Sequence, residues 1–231
     1  LADVILPPAR VPGITDARAV HAQSRGTCVL RDDPVDGGRV SCWGDNGGGE
    51  LGRGATGMPT LGVADVIALP TGILELVDGW GPRSCVRTAS LELWCWGQGI
   101  LGDGGTAGSS TPQRVSVTSV LEADFGVSLT GIRTVGCVRR PGAGPGREEV
   151  WCWGDTEEFG ARGLPAPDVL VPRRVGTLTG VTHVGASPQH GCASLDDGSL
   201  HCWGLDDNGQ VGQGLPFTTI RAGVGAVSGL P

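Results

Sequence analysis

The residues best placed to do chemistry are eight cysteines. Cys42, Cys95, Cys152 and Cys202 each open a Cys-Trp-Gly tripeptide, and each follows an upstream partner, Cys28, Cys85, Cys137 or Cys192. Thiols in this number coordinate metal or form disulfides. Zinc sites usually bring together two short Cys-x-x-Cys or Cys/His pairs, and none occurs here. The four pairs are separated by 14, 10, 15 and 10 residues, which places them opposite each other in hairpins. Directly opposed strand positions lie within disulfide reach, so four cross-strand bridges are the reading adopted. Each closes a short ring and contributes about 2–3 kcal/mol in the chain-entropy view. Oxidised cysteines imply a secreted, periplasmic or cell-surface location.

Other chemistry is poorly represented. All 17 basic residues are Arg, so the chain has neither a phosphate-binding Gly-Lys-Ser/Thr loop nor a Schiff-base lysine. It also lacks the Gly-x-Ser-x-Gly elbow and the His-Glu-x-x-His zinc motif. His21, His183, His190 and His201 fall at different points of the repeated pattern and form no repeated ligand ring. Acidic turns such as Asp196-Asp197-Gly198 and Asp206-Asp207-Asn208-Gly209 lack the alternating oxygen ligands and terminal Glu of a calcium loop. No cofactor, metal or catalytic residue is expected, although carboxylates from separate repeats could still converge in space. The candidate binding residues are Trp94 and Trp151, just before two of the cysteines, Trp80, which lies off the repeated pattern, and Arg147 at the end of a Pro/Gly-rich loop. Trp43, Trp96, Trp153 and Trp203, which follow the cysteines, are expected in the core.

Short strands must position these residues. Successive Cys-Trp-Gly copies lie 53, 57 and 50 residues apart, the period of a repeated supersecondary unit such as a propeller blade. The approximate repeats are 8–67, 68–115, 116–175 and 176–231, and they leave one domain over 1–231. The strand ending in each tripeptide alternates with period two. Val40, Leu93, Val150 and Leu200 share a face with the cysteines, and Ser41, Trp94, Trp151 and His201 share the other with the following tryptophans. A strand apolar on both faces is buried on both, as in a sheet stacked between sheets. Upstream strands carry each first cysteine, and further strands at Gly72–Val77, Gly180–Gly185, Gln113–Val115 and Pro172–Val175 bring the number to three or four per repeat. Glycine at 42 and proline at 16 of 231 residues, about a quarter of the chain, suit many tight turns. The glycine-rich loop after each tripeptide ends in an apolar anchor and a glycine: Leu51-Gly52, Leu101-Gly102, Phe159-Gly160 and Val211-Gly212.

The segments Trp43-Gly44-Asp45-Asn46 through Gly49-Glu50-Leu51-Gly52-Arg53-Gly54, and Trp203-Gly204 through Asn208-Gly209-Gln210-Val211-Gly212-Gln213-Gly214, resemble the repeat of the regulator of chromosome condensation family. The added cysteine pair resembles a variant found in secreted bacterial proteins, and the Arg-only, Ala/Gly/Pro-rich composition also suggests a high-GC bacterial genome. The resemblance implies a β-propeller. The family usually has seven blades, whereas four repeats are present here. The expected fold is thus an all-β, propeller-like array of four repeats of short antiparallel strands, read as an open or incomplete propeller rather than a closed four-blade ring. The chain starts at Leu1 and its single Met is Met58, so the start reads as processed or truncated.

A net charge of −7 without a basic run argues against nucleic acid, and no apolar stretch reaches the length of a membrane-spanning helix. The leading functional expectation is a non-enzymatic extracytoplasmic module that recognises another protein or serves as a structural subunit of a larger assembly. Binding of cell-surface polysaccharide is the alternative, and an extracellular polymer-degrading enzyme the second. Guanine-nucleotide exchange, the activity of the family's namesake, ranks below these because disulfides point outside the cell.

Overall fold

The computed structural model describes residues 7–23, 25–77, 81–127, 134–154, 169–214 and 221–227. Among them the chain forms sixteen strands and no helix. The first sheet contains β1 (Ala17–Ala22), β2 (Gly26–Arg31), β3 (Arg39–Asn46) and β4 (Gly57–Asp65). The second contains β5 (Ile73–Val77), β6 (Arg83–Thr88), β7 (Leu93–Gly97) and β8 (Ser109–Arg114). The third contains β9 (Glu122–Val127), β10 (Thr134–Arg140), β11 (Glu149–Gly154) and β12 (Val169–Arg174), and the fourth β13 (Val181–Ala186), β14 (His190–Leu195), β15 (Leu200–Gly204) and β16 (Arg221–Ala226). Each sheet is an antiparallel meander in chain order. The first strands approach one another, β1 against β5 and β9 against β13, so they form the inner edge of a propeller-like arc. The arc does not close between the first and fourth sheets.

Each residue of Cys-Trp-Gly has its own structural task. The cysteines of each pair sit directly opposite in the register of the second and third strands. Their Cα atoms lie 4.1–4.2 Å apart, and all four disulfides are formed. The glycine adopts positive φ in every copy, 111° at Gly44, 98° at Gly97, 122° at Gly154 and 115° at Gly204. A Cβ there would collide with the backbone that enters the second strand, at Arg25, Pro82, Thr134 and Gln189. The register with the fourth strand also shifts at this point, a bulge that only glycine accommodates without strain.

The tryptophan joins one blade to the blade before it. Along β3, β7 and β11 the valine or leucine and the cysteine face the following sheet. Val40 and Cys42 pack with Val86 and Trp96, Leu93 and Cys95 with Val138 and Trp153, and Val150 and Cys152 with Ala193 and Trp203. Trp96, Trp153 and Trp203 point the other way and are fully buried. The Trp96 indole N–H donates to the Glu50 carbonyl at 2.8 Å, directly beside the Leu51-Gly52 anchor. A Cβ on Gly52 would strike the Trp96 ring, and one on Gly102 the Trp153 ring. Across each β hairpin the ring covers a small residue, Ser84, Gly136 or Gly191.

Core burial holds for three of the four tryptophans. Trp43 is half-buried, against the expectation, because no sheet precedes the first among the described residues. The last sheet is open on its opposite side, where Leu200 and Cys192 are half-buried while Val40, Leu93, Val150 and the upstream cysteines Cys28, Cys85 and Cys137 are buried.

Two stability measurements follow. Trp96→Ala should cost about 3–5 kcal/mol by denaturant unfolding, and Trp43→Ala no more than about 1 kcal/mol, because only the former leaves a cavity in a filled seam. Replacing both Cys85 and Cys95 by Ser should cost about 2–3 kcal/mol. Equal losses for the two tryptophans would contradict the seam assignment.

Candidate functional site

The meander fixes where the connections emerge. Turns from first to second and from third to fourth strands lie on one face of the arc; turns from second to third, with the links between blades, lie on the other. The first face carries the anchor loops, which are tied down internally. The buried Asn46 Oδ1 accepts from Leu51 N–H at 3.1 Å, and the buried Asp206 Oδ1 from Val211 N–H at 3.1 Å, the same brace in the first and fourth blades. Glu50 is also buried, and its carboxylate accepts from Gly48 N–H at 2.8 Å and Gln98 Nε2 at 2.9 Å. Gln23, Arg25, Gly26, Asp45, Glu50 and Pro82 line a small cleft at the first seam. Its Arg25–Asp45 pair is loose, at 3.8 Å with Arg25 exposed.

Between the second and third blades lies a group that the sequence pattern does not reveal. Arg83 is buried, donates to the Ile100 carbonyl at 3.2 Å and stacks over the Phe125 ring at 4.4 Å. Burial pulls its pKa down to about 9. Ile100 occupies in this blade the position of Glu50 before the anchor, and the Trp153 indole N–H is buried without a hydrogen-bond partner. A lone arginine at the start of the second strand carries no periodic signal, which is why it escapes a pattern-based reading.

The second face carries an ordered series of charges. Near the inner edge Arg31 pairs with Asp16 at 2.7 Å, Arg87 with Glu75 at 2.7 Å and Arg139 with Glu122 at 3.1 Å. In the fourth blade a Thr182–Ser194 hydroxyl pair at 2.8 Å stands at the corresponding place. Further out, the candidate residues Trp94 and Trp151 occupy equivalent positions and are half-buried. Each indole N–H donates to a carboxylate of its own strand entry, Trp94 to Glu92 at 3.2 Å and Trp151 to Glu149 at 2.9 Å. Each carboxylate also pairs with an arginine of the fourth strand, Arg114 at 3.0 Å and Arg174 at 3.3 Å. Arg140 lies 5.0 Å over the Trp151 ring. Arg147 is exposed, as is most of the 141–147 loop. The structure therefore brings Trp151, Arg140 and the Arg147 loop to one end of the third blade, with Trp94 one blade away. Trp80 and Phe159 lie outside the described residues.

Among the described residues no group of three or more His, Cys, Asp or Glu side chains is placed to hold a metal ion. His190 shares a 2.8 Å hydrogen bond with Ser187 Oγ, and burial lowers its pKa. Ser187 Oγ also accepts from the His190 amide at 2.9 Å and donates to its carbonyl at 2.8 Å, so the pair closes a turn. His183 is exposed on another strand.

Residues 181–210, which include the Trp-Gly bulge of the fourth blade, match the regulator of chromosome condensation (RCC1) repeat. In the fourth blade the repeat is of the RCC1 type. The human E3 ubiquitin-protein ligase HERC2 is 29% identical over 185 residues, covering 77% of this chain and 4% of HERC2. The ultraviolet-B receptor UVR8 of Arabidopsis thaliana is 28% identical over 182 residues, covering 77% of this chain and 39% of the receptor. Among solved structures, Prp20p from Saccharomyces cerevisiae superposes with a TM-score of 0.70 at 20% identity, covering 92% of this chain and 50% of Prp20p. Human WBSCR16 gives 0.68 at 18% identity, covering 96% of this chain and 55% of its own. The chain thus spans about half the length of these two solved structures and a smaller share of HERC2 and UVR8. RCC1-repeat relatives and the four formed bridges accord with the expected family and propeller-like fold.

Asp16 gives this face a pH dependence. Its hydrogen bond from Arg31 holds its carboxyl below the usual carboxylate value, against some desolvation and with help from Arg39. A carboxyl depressed in the folded state stabilises above its unfolded value and loses that contribution as pH falls through the folded one. Stability from Asp16 should therefore be present at neutral pH and lost below about pH 4. Asp16→Asn should lower the neutral-pH Tm and leave the Tm near pH 2 unchanged; a loss of equal size at both pH values would rule the ion pair out as its source.

Proposed function

We propose that this chain is a non-enzymatic recognition module that works outside the cytoplasm and binds another protein through the tip-loop face of its second and third blades. The observation that supports this most directly is the 141–147 loop. It is exposed, ends in Arg147, and is carried by two strands held together by the Cys137–Cys152 bridge. A loop anchored in this way loses little conformational freedom on binding. Beside it, Trp151 offers part of its ring and Arg140 a stacked guanidinium, the residue types enriched in binding hot spots.

The relatives give the same direction in coarse form. The yeast Prp20 structure includes a complex with Kap60, and Prp20p is described with binding to Gsp1p and histones. Those partners belong to Prp20. For this chain the four disulfides favour an oxidising compartment, which argues for a different partner. Polysaccharide binding is the weaker reading, because Trp94 and Trp151 spend their N–H groups on Glu92 and Glu149 and show only part of each ring.

Affinity capture from the native source under non-reducing conditions, with mass-spectrometric identification, tests the proposal. Arg147→Glu and Trp151→Ala should each weaken capture of the same protein at least tenfold while leaving Arg10→Glu without effect. Retention of a glycan in place of a protein would transfer the function to the second reading. Cellular thiol labelling adds a separate check on the compartment: free cysteines in the protein as it exists in cells would rule out an oxidising location.

A further inference from the structure

The joint between the second and third blades holds a cation that has no counter-charge among the described residues. Arg83 opens β6 opposite Gly97, and in the same register the other blades place Gly26 opposite Gly44, Val135 opposite Gly154 and His190 opposite Gly204. Arg83 is 3% exposed, stacks on the Phe125 ring at 4.4 Å and donates from Nη1 to the Ile100 carbonyl at 3.2 Å. Burial is the one influence on its ionisation, with no carboxylate contributing, and a pKa of about 9 leaves it positively charged at neutral pH. An ionised group so placed is costly unless it finds an opposite charge.

Two further donors of the third blade share this need. Arg83 Nη2, the Trp153 indole N–H and the Thr134 hydroxyl are all buried without a hydrogen-bond partner. They gather on one short stretch of the second blade, residues 99–102. Arg83 is bonded to Ile100 there, a Cβ on Gly99 would meet Thr134 Oγ1 at 2.6 Å, and one on Gly102 would meet Trp153 Nε1 at 2.6 Å. Phe125 joins the group, its ring edge-on to Trp153 with centroids 5.8 Å apart and planes at 81°. In the first seam the corresponding indole N–H is satisfied by the Glu50 carbonyl. Here Arg83 takes the equivalent carbonyl, and three donors remain around a positive charge. Buried donors are rarely left without acceptors, so the cluster points to an acceptor that carries negative charge.

We propose that this joint is a binding site for a small inorganic anion, chloride by size and charge, held by Arg83 Nη2, the Trp153 N–H and the Thr134 hydroxyl. Thr134 and Trp153 are 1% and 0% exposed, so the site is closed to a side chain of another protein or to a polymer, and a monatomic ion is the occupant that its burial admits. Water is the neutral competitor. It would accept from the donors, but it would leave the guanidinium charge uncompensated and bring two protons of its own to a place where the Ile100 carbonyl is already engaged. The ion would fasten the second blade to the third, and this role is independent of the protein-recognition reading.

The test is thermal unfolding of the oxidised chain at constant ionic strength as sodium chloride replaces sodium gluconate, whose anion is too large for a closed site. The Tm should rise with chloride and level off, by about 5–10 °C at a hundredfold excess over the dissociation constant. Arg83→Met exchanges the buried charge for an apolar chain of similar length; it should fold and lose the chloride response. Trp153→Phe keeps a ring and removes the donor, and should weaken the apparent chloride affinity about tenfold. In crystals grown with bromide, an anomalous peak should lie within hydrogen-bond distance of Arg83 Nη2. The wild-type titration and the bromide map decide the question even where a variant folds poorly. A Tm indifferent to chloride, a response retained by Arg83→Met, or a water where the bromide is expected would overturn the proposal. A bromide peak without a thermal response would mean an adventitious ion only, and would overturn it equally.

Discussion

The seam between blades is the constraint on which the rest of the molecule depends. A sheet of four short strands with two apolar faces has no stable existence alone in water, and here each sheet finds its core in its neighbours. The indole is suited to this place because it fills a broad gap and carries one donor that can be satisfied by a backbone carbonyl. At the first seam the match is complete, with Trp96 bonded to the Glu50 carbonyl. At the second, Arg83 takes the Ile100 carbonyl in the equivalent position and the Trp153 N–H is left buried and unpaired. The same architecture thus tolerates a polar irregularity in one joint when the apolar packing around it is kept.

From this joint the other repeated features follow. The anchor glycine gives the ring room, the small residue across the hairpin gives it a floor, and the glycine of the tripeptide bends the strand so that the loop returns to meet the next blade. The disulfide lies on the opposite face of the same strand, filling space against the following blade while tying its own hairpin. Cysteine, tryptophan and glycine are therefore adjacent in sequence because three separate demands, on one face, on the other and on the backbone, fall on consecutive residues.

Much of this was legible in the sequence. Period-two alternation around Cys42, Cys95, Cys152 and Cys202 separates the two faces, and spacing alone pairs the cysteines that stand opposite in register. What alternation cannot express is whether a neighbouring sheet exists, so Trp43 carries the same local signal as Trp96 and a different environment. The candidate surface was legible only in part. Trp94 and Trp151 are marked by type and position, but Arg114 and Arg174, which hold the neighbouring Glu92 and Glu149 in place, come from the fourth strand of each sheet. Arg83 was hidden because a buried charge stabilised by a ring from another blade leaves no trace in its own segment.

The confinement of every disulfide within one hairpin has a consequence for how the chain withstands proteases. The Cys137–Cys152 bridge spans the exposed 141–147 loop, so a cut in that loop leaves both halves of the hairpin covalently attached. A cut between blades, at a link such as 66–72, has no such tether and relies on the seam alone to hold the pieces in place. Cleavage of the exposed 141–147 loop is thus a cut the molecule can absorb without losing mass.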